Sequence, residues 1–421
     1  SPSLRLDPGC SSVMSRCEIR WVEVGFETGA EHNTRDARHR KRTARGGNEM
    51  RARLAFLFIL AALTVVAVMD AATGGLNKLD RIGPVLIESG NADMNSGLSV
   101  DSRTPHVTKS GSLTMSAAGI TKFGIANDFG SVAITAGAEG AAGAEDSIEV
   151  DYDITVYAES EERAKEFANR CSVDLGASGG EARVALSQPR ESSERIMGVV
   201  TNYRVKLPPR LKVDVVNSFG EVSIDGVSGD VDLQNQYGAT RTSNLGGSLV
   251  ARTGFAAAQI SGIAKDADIT VQQGSLTLNS VGGNVTLRAR FSRVDASAIA
   301  GAVDLIAEHG QVNLADVGGG LTGKGSFCPV SGRNVRGSVL LTSDHGLVEI
   351  SGIDDETRVR STYAPVRVEL GEAAEGYRVE MRTRFGSIDA DVPVTTGGRV
   401  QNEEQATAVV GRGGIPVHVE S

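Results

Sequence analysis

The feature that most constrains this chain is an 18-residue repeat that runs from about Val216 to Leu370. An aliphatic residue occupies the same place, called here the reference position, in eight successive repeats. A fixed period with alternating apolar positions is typical of a solenoid of stacked coils. The reference residues are Val227, Leu245, Ile263, Val281, Ile299, Val317, Val335 and Ile353.

Each repeat contains two short segments in which apolar residues alternate with others. Val222 and Ile224 precede the reference residue Val227, and Val231 and Leu233 follow it. Alternation of this kind places one set of side chains inside and the other in solvent. The sequence therefore predicts an all-β fold, a β-solenoid of about 18-residue, two-strand coils. Equivalent residues of neighbouring coils are expected to stack at about 4.8 Å.

Two other repeat folds are excluded by the same columns. A left-handed hexapeptide helix needs an apolar residue six positions before each reference residue, where this chain has Glu221, Arg293 and Gln311 among others. A calcium-binding nonapeptide roll needs a Gly-Gly-x-Gly-x-Asp run, which the sequence lacks. The first exclusion removes most of the case for an acyltransferase.

Glycines recur beside the predicted turns. Gly238 and Gly274 are examples, and we expect them to supply turns that need a positive φ. Gly323 and Gly332 fall on inward positions and are expected to leave them empty. Lys265 stands where most coils have glycine. The coils around Ile263 and from Val317 to Val335 are therefore predicted to be the weakest.

The sequence on either side of the repeat predicts further segments. Ser147–Ala158 alternates like a half-buried strand, and Ser160 is placed to cap a short helix with acidic residues in its first turn. Exposed end coils of a solenoid are sticky edges, so a β-rich cap with this helix is expected before the first coil. The last residues, from Gly411, resemble the start of one more coil. The predicted segments are a basic disordered tail (1–49), a signal peptide or membrane anchor (50–72), a linker (73–118), a β-rich N-terminal cap with a short helix (119–214), the regular solenoid (215–370) and degenerate C-terminal coils (371–421).

An apolar run from Leu54 to Met69 predicts contact with a membrane. Its length falls between a signal-peptide core of about 7–15 residues and a membrane span of about 20. Arg51 and Arg53 precede it, so the positive-inside rule places the N-terminus in the cytoplasm and residues after about 75 outside. We therefore expect a cell-envelope location, with the membrane bound through residues 54–69.

Residues 1–49 lack apolar periodicity and become strongly basic between Arg35 and Arg45. They are predicted to be a disordered tail or a cytoplasmic flank. A third interpretation is that they are not native, because Met50 begins a conventional export sequence.

Charge and composition exclude several partners. Residues 1–53 hold 11 basic and 7 acidic residues, so residues 54–421 hold 32 basic and 45 acidic ones. An acidic body argues against nucleic-acid binding, which needs cations to neutralise phosphates. No Gly-rich phosphate loop follows a strand, so no nucleotide is expected.

The four cysteines form no zinc-type cluster, and no metal or cofactor is predicted. Cys171 and Cys328 lie in the body of the chain. They could form a disulfide in an oxidising compartment or stay two isolated thiols, and the second interpretation is favoured.

One column of the repeat carries rings. It could offer ligand-binding faces to sugars, or it could be a structural ladder in which stacked rings shield the turn. The ladder is the favoured interpretation. The ring candidates are Phe219, Tyr237, Phe255, Phe291, His309, Phe327, His345 and Tyr363.

The same columns contain no catalytic constellation. The carboxylates of residues such as Asp230, Asp268 and Asp304 do not gather on one face of adjacent coils, as a glycoside-cleaving site requires. Asp344 and His345 are adjacent, but no nucleophile motif accompanies them. The chain is therefore predicted not to be an enzyme.

The run from Tyr203 to Leu233, Tyr-Arg-Val-Lys-Leu-Pro followed by Phe-Gly-Glu-Val-Ser-Ile-Asp-Gly-Val, resembles the bacterial "putative adhesin" family. The likeness covers about residues 120–421. It implies a β-solenoid domain of unknown function, an envelope location and a binding or structural role. It carries no catalytic residues to this chain.

Three functions remain as hypotheses. The leading one is an exported, membrane-tethered β-solenoid that acts as a structural or adhesive module toward a surface glycan or protein partner. The second is a carbohydrate-binding or carbohydrate-active β-helix that uses the ring column. The third is a periplasmic sensor that signals through the anchor to the basic tail.

Overall fold

The computed structural model describes residues 22–26, 104–137, 146–189, 196–397 and 402–421. It confirms the predicted fold class, a β-solenoid of about nine turns built from 18-residue coils. The strands form two sheets, sheet A and sheet B, which face each other across the core. Within each sheet, the strands of the regular coils run parallel. The predicted signal or anchor segment 50–72, most of the predicted tail and the first part of the predicted linker lie outside the described residues. Within the described ranges, no helix is long and apolar enough to cross a membrane.

The part of the chain before the regular coils forms strands and one helix. Their bounds are β1 Val22–Phe26, β2 His106–Ser116, β3 Lys122–Phe129, β4 Val132–Ala136, β5 Ser147–Ala158, α1 Glu161–Arg170, β6 Ser172–Ser178, β7 Glu181–Ser187 and β8 Ile196–Leu207.

The regular coils alternate between a strand of sheet B and a strand of sheet A. In chain order they are β9 Lys212–Phe219, β10 Val222–Asp225, β11 Val231–Tyr237, β12 Thr240–Ser243, β13 Leu249–Thr253, β14 Ala257–Ile263, β15 Ala267–Gln272, β16 Ser275–Val281, β17 Val285–Arg290, β18 Arg293–Ile299, β19 Val303–Glu308, β20 Gln311–Val317, β21 Leu321–Ser326, β22 Val330–Val335, β23 Val339–Asp344, β24 Val348–Ile353, β25 Thr357–Thr362 and β26 Val366–Leu370.

Successive coils of the regular array pair in register, because the repeat length is constant. In sheet A, Leu276 lies opposite Ala258 on one side and Val294 on the other, each one full repeat away. The inward residues of both sheets are buried, as are the reference residues at the corner between them. Each fully buried aliphatic side chain stabilises the fold by about 1.5–3 kcal/mol relative to an exposed one. The core is therefore one continuous aliphatic column along the solenoid.

Most glycines beside the ring column serve a different purpose from the one predicted, although Gly220 has the expected positive φ, at 128°. Gly238, Gly274 and Gly310 do not have a positive φ. A Cβ atom at each would instead overlap a backbone carbonyl of the preceding coil. These positions need glycine because two coils approach closely there. From Gln273 onward, the positive φ belongs to the ring-column residues themselves.

The predicted empty positions at Gly323 and Gly332 are filled. A Cβ at Gly323 would lie 2.9 Å from the Cβ of Leu305 and 3.2 Å from the Cδ2 of Leu341. A Cβ at Gly332 would lie 3.0 Å from the Cδ1 of Ile350. Larger side chains from neighbouring coils occupy this space, so glycine at these positions does not create a void.

The predicted cap is present at the first coil. Strands β8, β5 and β2 extend sheet A beyond β4, and strands β7 and β6 extend sheet B beyond β3. Helix α1 packs on β2 and β5 and buries Ala164, Phe167 and Ala168. At its start, the hydroxyl of Ser160 accepts a hydrogen bond from the backbone N–H of Arg163 at 3.3 Å. The cap therefore closes the end that the repeat would leave open.

Two predicted irregular segments contain strands. Residues 106–116 of the predicted linker form β2, which pairs antiparallel with all but the end of β5. Its side chains are at most half-buried, because it is an edge strand, and this explains its weak apolar pattern. Within the predicted disordered tail, β1 lies between β26 and the later strand Gly386–Ala390, with Val22 opposite Val368 and Ala390.

The C-terminal region is not a series of successive coils. Its strands are β27 Tyr377–Arg384, β28 Gly386–Ala390, β29 Thr395–Thr396, β30 Glu403–Val410 and β31 Ile415–Glu420. Strand β31 inserts between β25 and β27 and runs parallel to both. Strand β30 turns back antiparallel on β27. The last segment thus takes the next sheet B position, as its coil-like sequence suggested, but out of chain order.

Candidate functional site

The ring column lies along the corner where each coil passes from sheet B to sheet A. Its rings stack with centroids 4.6–5.2 Å apart and are nearly parallel in all pairs but the last. This spacing follows from the pairing distance of the strands beneath them. The stacked pairs form two runs, Phe129–Phe219–Tyr237–Phe255 and Phe291–His309–Phe327–His345–Tyr363.

All eight predicted ring candidates therefore belong to one column, and the structure adds a ninth. Phe129, from the coil beneath the cap insertion, stacks on Phe219 at 5.0 Å. The signal for it was in the sequence, because Phe129-Gly-Ser-Val-Ala-Ile matches Phe219-Gly-Glu-Val-Ser-Ile. Strands β3 and β9 pair directly, although most of the cap lies between them in the chain.

Stacking determines which parts of the rings are available. Inside a run, both faces of each ring are covered by its neighbours, so only the ring edges meet solvent. The edges are well exposed in the second run, where Phe291 is 59% and Phe327 50% exposed. A sugar stacks on a ring face rather than an edge. The interior of each run therefore does not offer the faces that the carbohydrate hypothesis requires.

The column is interrupted once, at Gln273. Phe255 ends the first run and Phe291 begins the second, and Gln273 occupies the coil between them. The two phenylalanines are two repeats apart, which corresponds to about 9.6 Å along the solenoid axis. The face of each ring that points toward Gln273 lacks an aromatic neighbour in the described part of the chain.

The backbone also changes at this interruption. The N–H of Phe255 donates to the carbonyl of Gln236 in the preceding coil at 2.8 Å. The N–H of Gln273 donates instead to the carbonyl of Arg290 in the following coil, at 2.9 Å. Gln273 and Phe291 have φ values of 51° and 49°, whereas Phe255 has no positive φ. The ring-column residue at the corner thus has the left-handed backbone conformation from Gln273 onward, but not at Phe255.

A buried asparagine ladder supports the corners of the first run. Asn127, Asn217 and Asn235 lie inside the corner, and each donates to a glycine carbonyl of its own turn, as Asn217 does to Gly220 at 2.9 Å. They also donate to one another, Asn217 to Asn235 at 3.2 Å. The next position in this column is Thr253, whose buried hydroxyl makes no hydrogen bond within the described residues. The ladder therefore ends at the same place as the first ring run.

Several charged side chains on the outer faces form ion pairs. On sheet B, Arg252 pairs with Asp232 at 3.1 Å and Arg288 with Asp268 at 2.8 Å. On sheet A, the guanidinium of Arg293 and the amide of Asn313 hold the pKa of the Asp295 carboxyl below its usual range. These carboxylates are engaged by cations one coil away or in the same strand, so they support the packing of coils.

The histidines lie within the ladder. His309 stacks between Phe291 and Phe327 at 4.8 and 5.2 Å. His345 stacks on Phe327, and its Nδ1 lies 2.9 Å from an oxygen of Asp344. Phe327 separates the two imidazoles, as the repeat predicted. Within the described ranges, no three His, Cys, Asp or Glu side chains are grouped so that they could hold a metal ion.

The two cysteines of the solenoid and cap are isolated thiols. Cys171 follows helix α1 and Cys328 follows Phe327, and both are free and buried. Burial raises the pKa of the Cys328 thiol to about 11. The disulfide between them, which the sequence had left open, is not formed.

Comparison with known proteins adds little to this geometry. No family model matches the chain, and no curated protein matches it. A crystal structure described as a "putative cell adhesion protein" from Clostridium sporogenes is similar to it at 9% identity, over 75% of this chain and 95% of that chain, with a TM-score of 0.17.

Proposed function

We propose that this chain is an exported, membrane-tethered β-solenoid of the cell envelope that acts as a structural or adhesive module without catalysis. The observation that carries the proposal is the unbroken stack of coils with a filled aliphatic interior. A filled interior confines the exposed chemistry to the two outer sheet faces and the ring column. Such a frame presents side chains at a constant spacing, which suits contact with an extended surface.

The export part of the proposal is supported by the sequence. The apolar run Leu54–Met69 follows two arginines, and the likeness to the adhesin family implies an envelope location. Strand β1 limits how this topology is arranged. A molecule with residues 1–49 in the cytoplasm and the solenoid outside cannot pair Val22–Phe26 with β26 and β28. The anchored topology and this pairing therefore exclude one another.

Cysteine labelling tests the topology. Leu340 is exposed on sheet B, so Leu340→Cys is made in the full chain and spheroplasts are treated with a membrane-impermeant maleimide. We expect label at position 340 and none at Cys10 and Cys17 in the tail. Cys171 and Cys328 are buried and give the internal background. Label on the tail with protection of position 340 would exclude the proposed orientation. The sensor hypothesis depends on the same result, because it needs the tail in the cytoplasm.

Adhesion is tested separately with the purified full chain. Beads coated with the protein are expected to be retained on bacterial cells or matrix, whereas beads coated with heat-unfolded protein are not. Equal retention of both would remove the adhesive part of the proposal and leave a structural role.

A further inference from the structure

The interruption at Gln273 leaves one ring out of the stacked ring column. Everywhere else in the two runs, a ring sits about 4.8 Å from the next along the coil stack, in agreement with centroid distances of 4.8 Å for both Tyr237–Phe255 and Phe291–His309. Between Phe255 and Phe291, one ring is missing from this series. Phe255 and Phe291 are two repeats apart, about 9.6 Å along the coil stack, which is the spacing that leaves room for one further ring.

The flanks of this space are open and polar. Gly254 and Gly274 lie on either side of the corner and project no side chains. Gln272, Gln273 and Ser275 are exposed, and their side chains make no hydrogen bond within the described residues. The flexible Gln273 side chain is the group that would move aside. Amides and a hydroxyl beside two ring faces match a sugar, which has apolar C–H faces and a rim of hydroxyl groups.

The charges near this space are already paired. Arg290 contacts Glu308 at 2.8 Å, and Arg293 contacts Asp295 at 2.9 Å. Neither guanidinium is left to bind an anion, which favours an uncharged sugar. The corner backbone closes the inner side of the space, so the sugar has to enter from solvent. Only a terminal or branch residue can enter in this way, because an internal residue of a chain along the axis would need both sides open.

We propose that the Gln273 junction, formed by Phe255, Gln272, Gln273, Ser275 and Phe291, binds an uncharged terminal pyranose between its two phenylalanine faces. This proposal names a ligand for the proposed adhesive function and rests on that function. The junction differs from the interior of each ring run, where both faces of every ring are covered by neighbouring rings.

The test compares variants of the full chain on an array of neutral oligosaccharides that end in glucose, galactose, mannose or N-acetylglucosamine. The methyl glycoside of the best terminal sugar is then titrated by calorimetry. Gln273→Phe fills the space with a ring, and Phe291→Ala removes one wall. Each is expected to weaken binding at least tenfold, which corresponds to about 1.4 kcal/mol. Removal of the terminal sugar by an exoglycosidase is expected to abolish binding.

Phe327→Ala is the matched control, because Phe327 lies in the same column with a ring on each face. It is expected to bind as the parent chain does, and thermal melting verifies that every variant is folded. The inference is overturned if the parent chain binds none of these sugars or if Gln273→Phe binds as tightly as the parent. It is also overturned if Phe327→Ala loses as much affinity as Phe291→Ala. The labelling experiment on topology is independent of all these outcomes.

Discussion

Gly310 lies directly against the backbone carbonyl of Ser292 in the preceding coil, so that a Cβ atom at position 310 would overlap that oxygen. Gly274 has the same relation to Ala256, and Gly346 to Cys328. In this column a small side chain thus alternates with glycine. The packing at this corner therefore repeats every two coils rather than every coil. Along the chain, this column reads Ala256, Gly274, Ser292, Gly310, Cys328, Gly346 and Ala364.

Gly310→Ala is expected to lower the free energy of unfolding by about 1–3 kcal/mol, because the coils must separate locally to admit the methyl group. Urea denaturation measures the change. Gly176→Ala is the control, since a Cβ at Gly176 meets nothing within 4 Å and its φ is not positive, and it is expected to change stability by less than about 0.5 kcal/mol. Equal effects of the two substitutions would show that close approach of coils is not the reason for glycine at position 310.

Gln273→Phe is expected to raise the melting temperature. The new ring would join the two runs and create two stacked pairs, each worth about 0.5–1.5 kcal/mol. The backbone is already prepared, because Gln273 has a φ of 51° and Phe291 one of 49°. Gln273→Ala provides no ring and is expected to leave the melting temperature close to that of the parent. A loss of stability in Gln273→Phe would mean that the space between Phe255 and Phe291 is narrower than one ring.

Asn217→Ala is expected to destabilise the first coils by about 1–3 kcal/mol, because it removes the donor to the buried Gly220 carbonyl and to the Oδ1 of Asn235. Asn217 and Asn235 are in contact, so the double variant is expected to cost less than the sum of the two single variants. Chemical denaturation of the four proteins gives this coupling. Additive losses would show that the ladder does not act as a unit.

The Arg293–Asp295 pair predicts a specific dependence on pH. Arg293 and Asn313 hold the pKa of Asp295 below its ordinary value. The carboxylate therefore contributes its full stability above about pH 4, the pH at which this carboxyl group titrates in the unfolded chain. That contribution is lost as the pH falls through the folded pKa. Asp295→Asn should melt only slightly below the parent at neutral pH, because solvent screens this exposed pair. The melting temperatures of the two proteins should converge toward acid pH, and a difference that persists there would contradict the assignment.

The repeat itself was predictable because its cause is local in sequence. Each coil contributes the same few contacts, so inward residues must return at the same interval, as Val222, Thr240 and Ala258 do. The cap helix was predictable for a similar reason, since Ser160 and the acidic first turn act within one turn of the chain. Strand β2 was missed because an edge strand buries too little to impose a clear apolar pattern.

The candidate site was only partly visible in the sequence. Its rings could be listed, but their faces could not be assigned, because coverage depends on the spacing and tilt of neighbouring coils. Gln273 was visible only as an exception in the column. The reversal of backbone donation between Phe255 and Gln273 depends on how each coil pairs with the next.

By itself, the sequence determined the period, the two-sheet coil and the apolar interior, because these follow from side-chain alternation within one repeat. Only the tertiary structure decided which glycines prevent a clash, where the ring column is interrupted and how β31 enters sheet B beside β25. Those features arise from contacts between segments of different coils that are distant along the chain. No sequence pattern within a single repeat predicts these contacts.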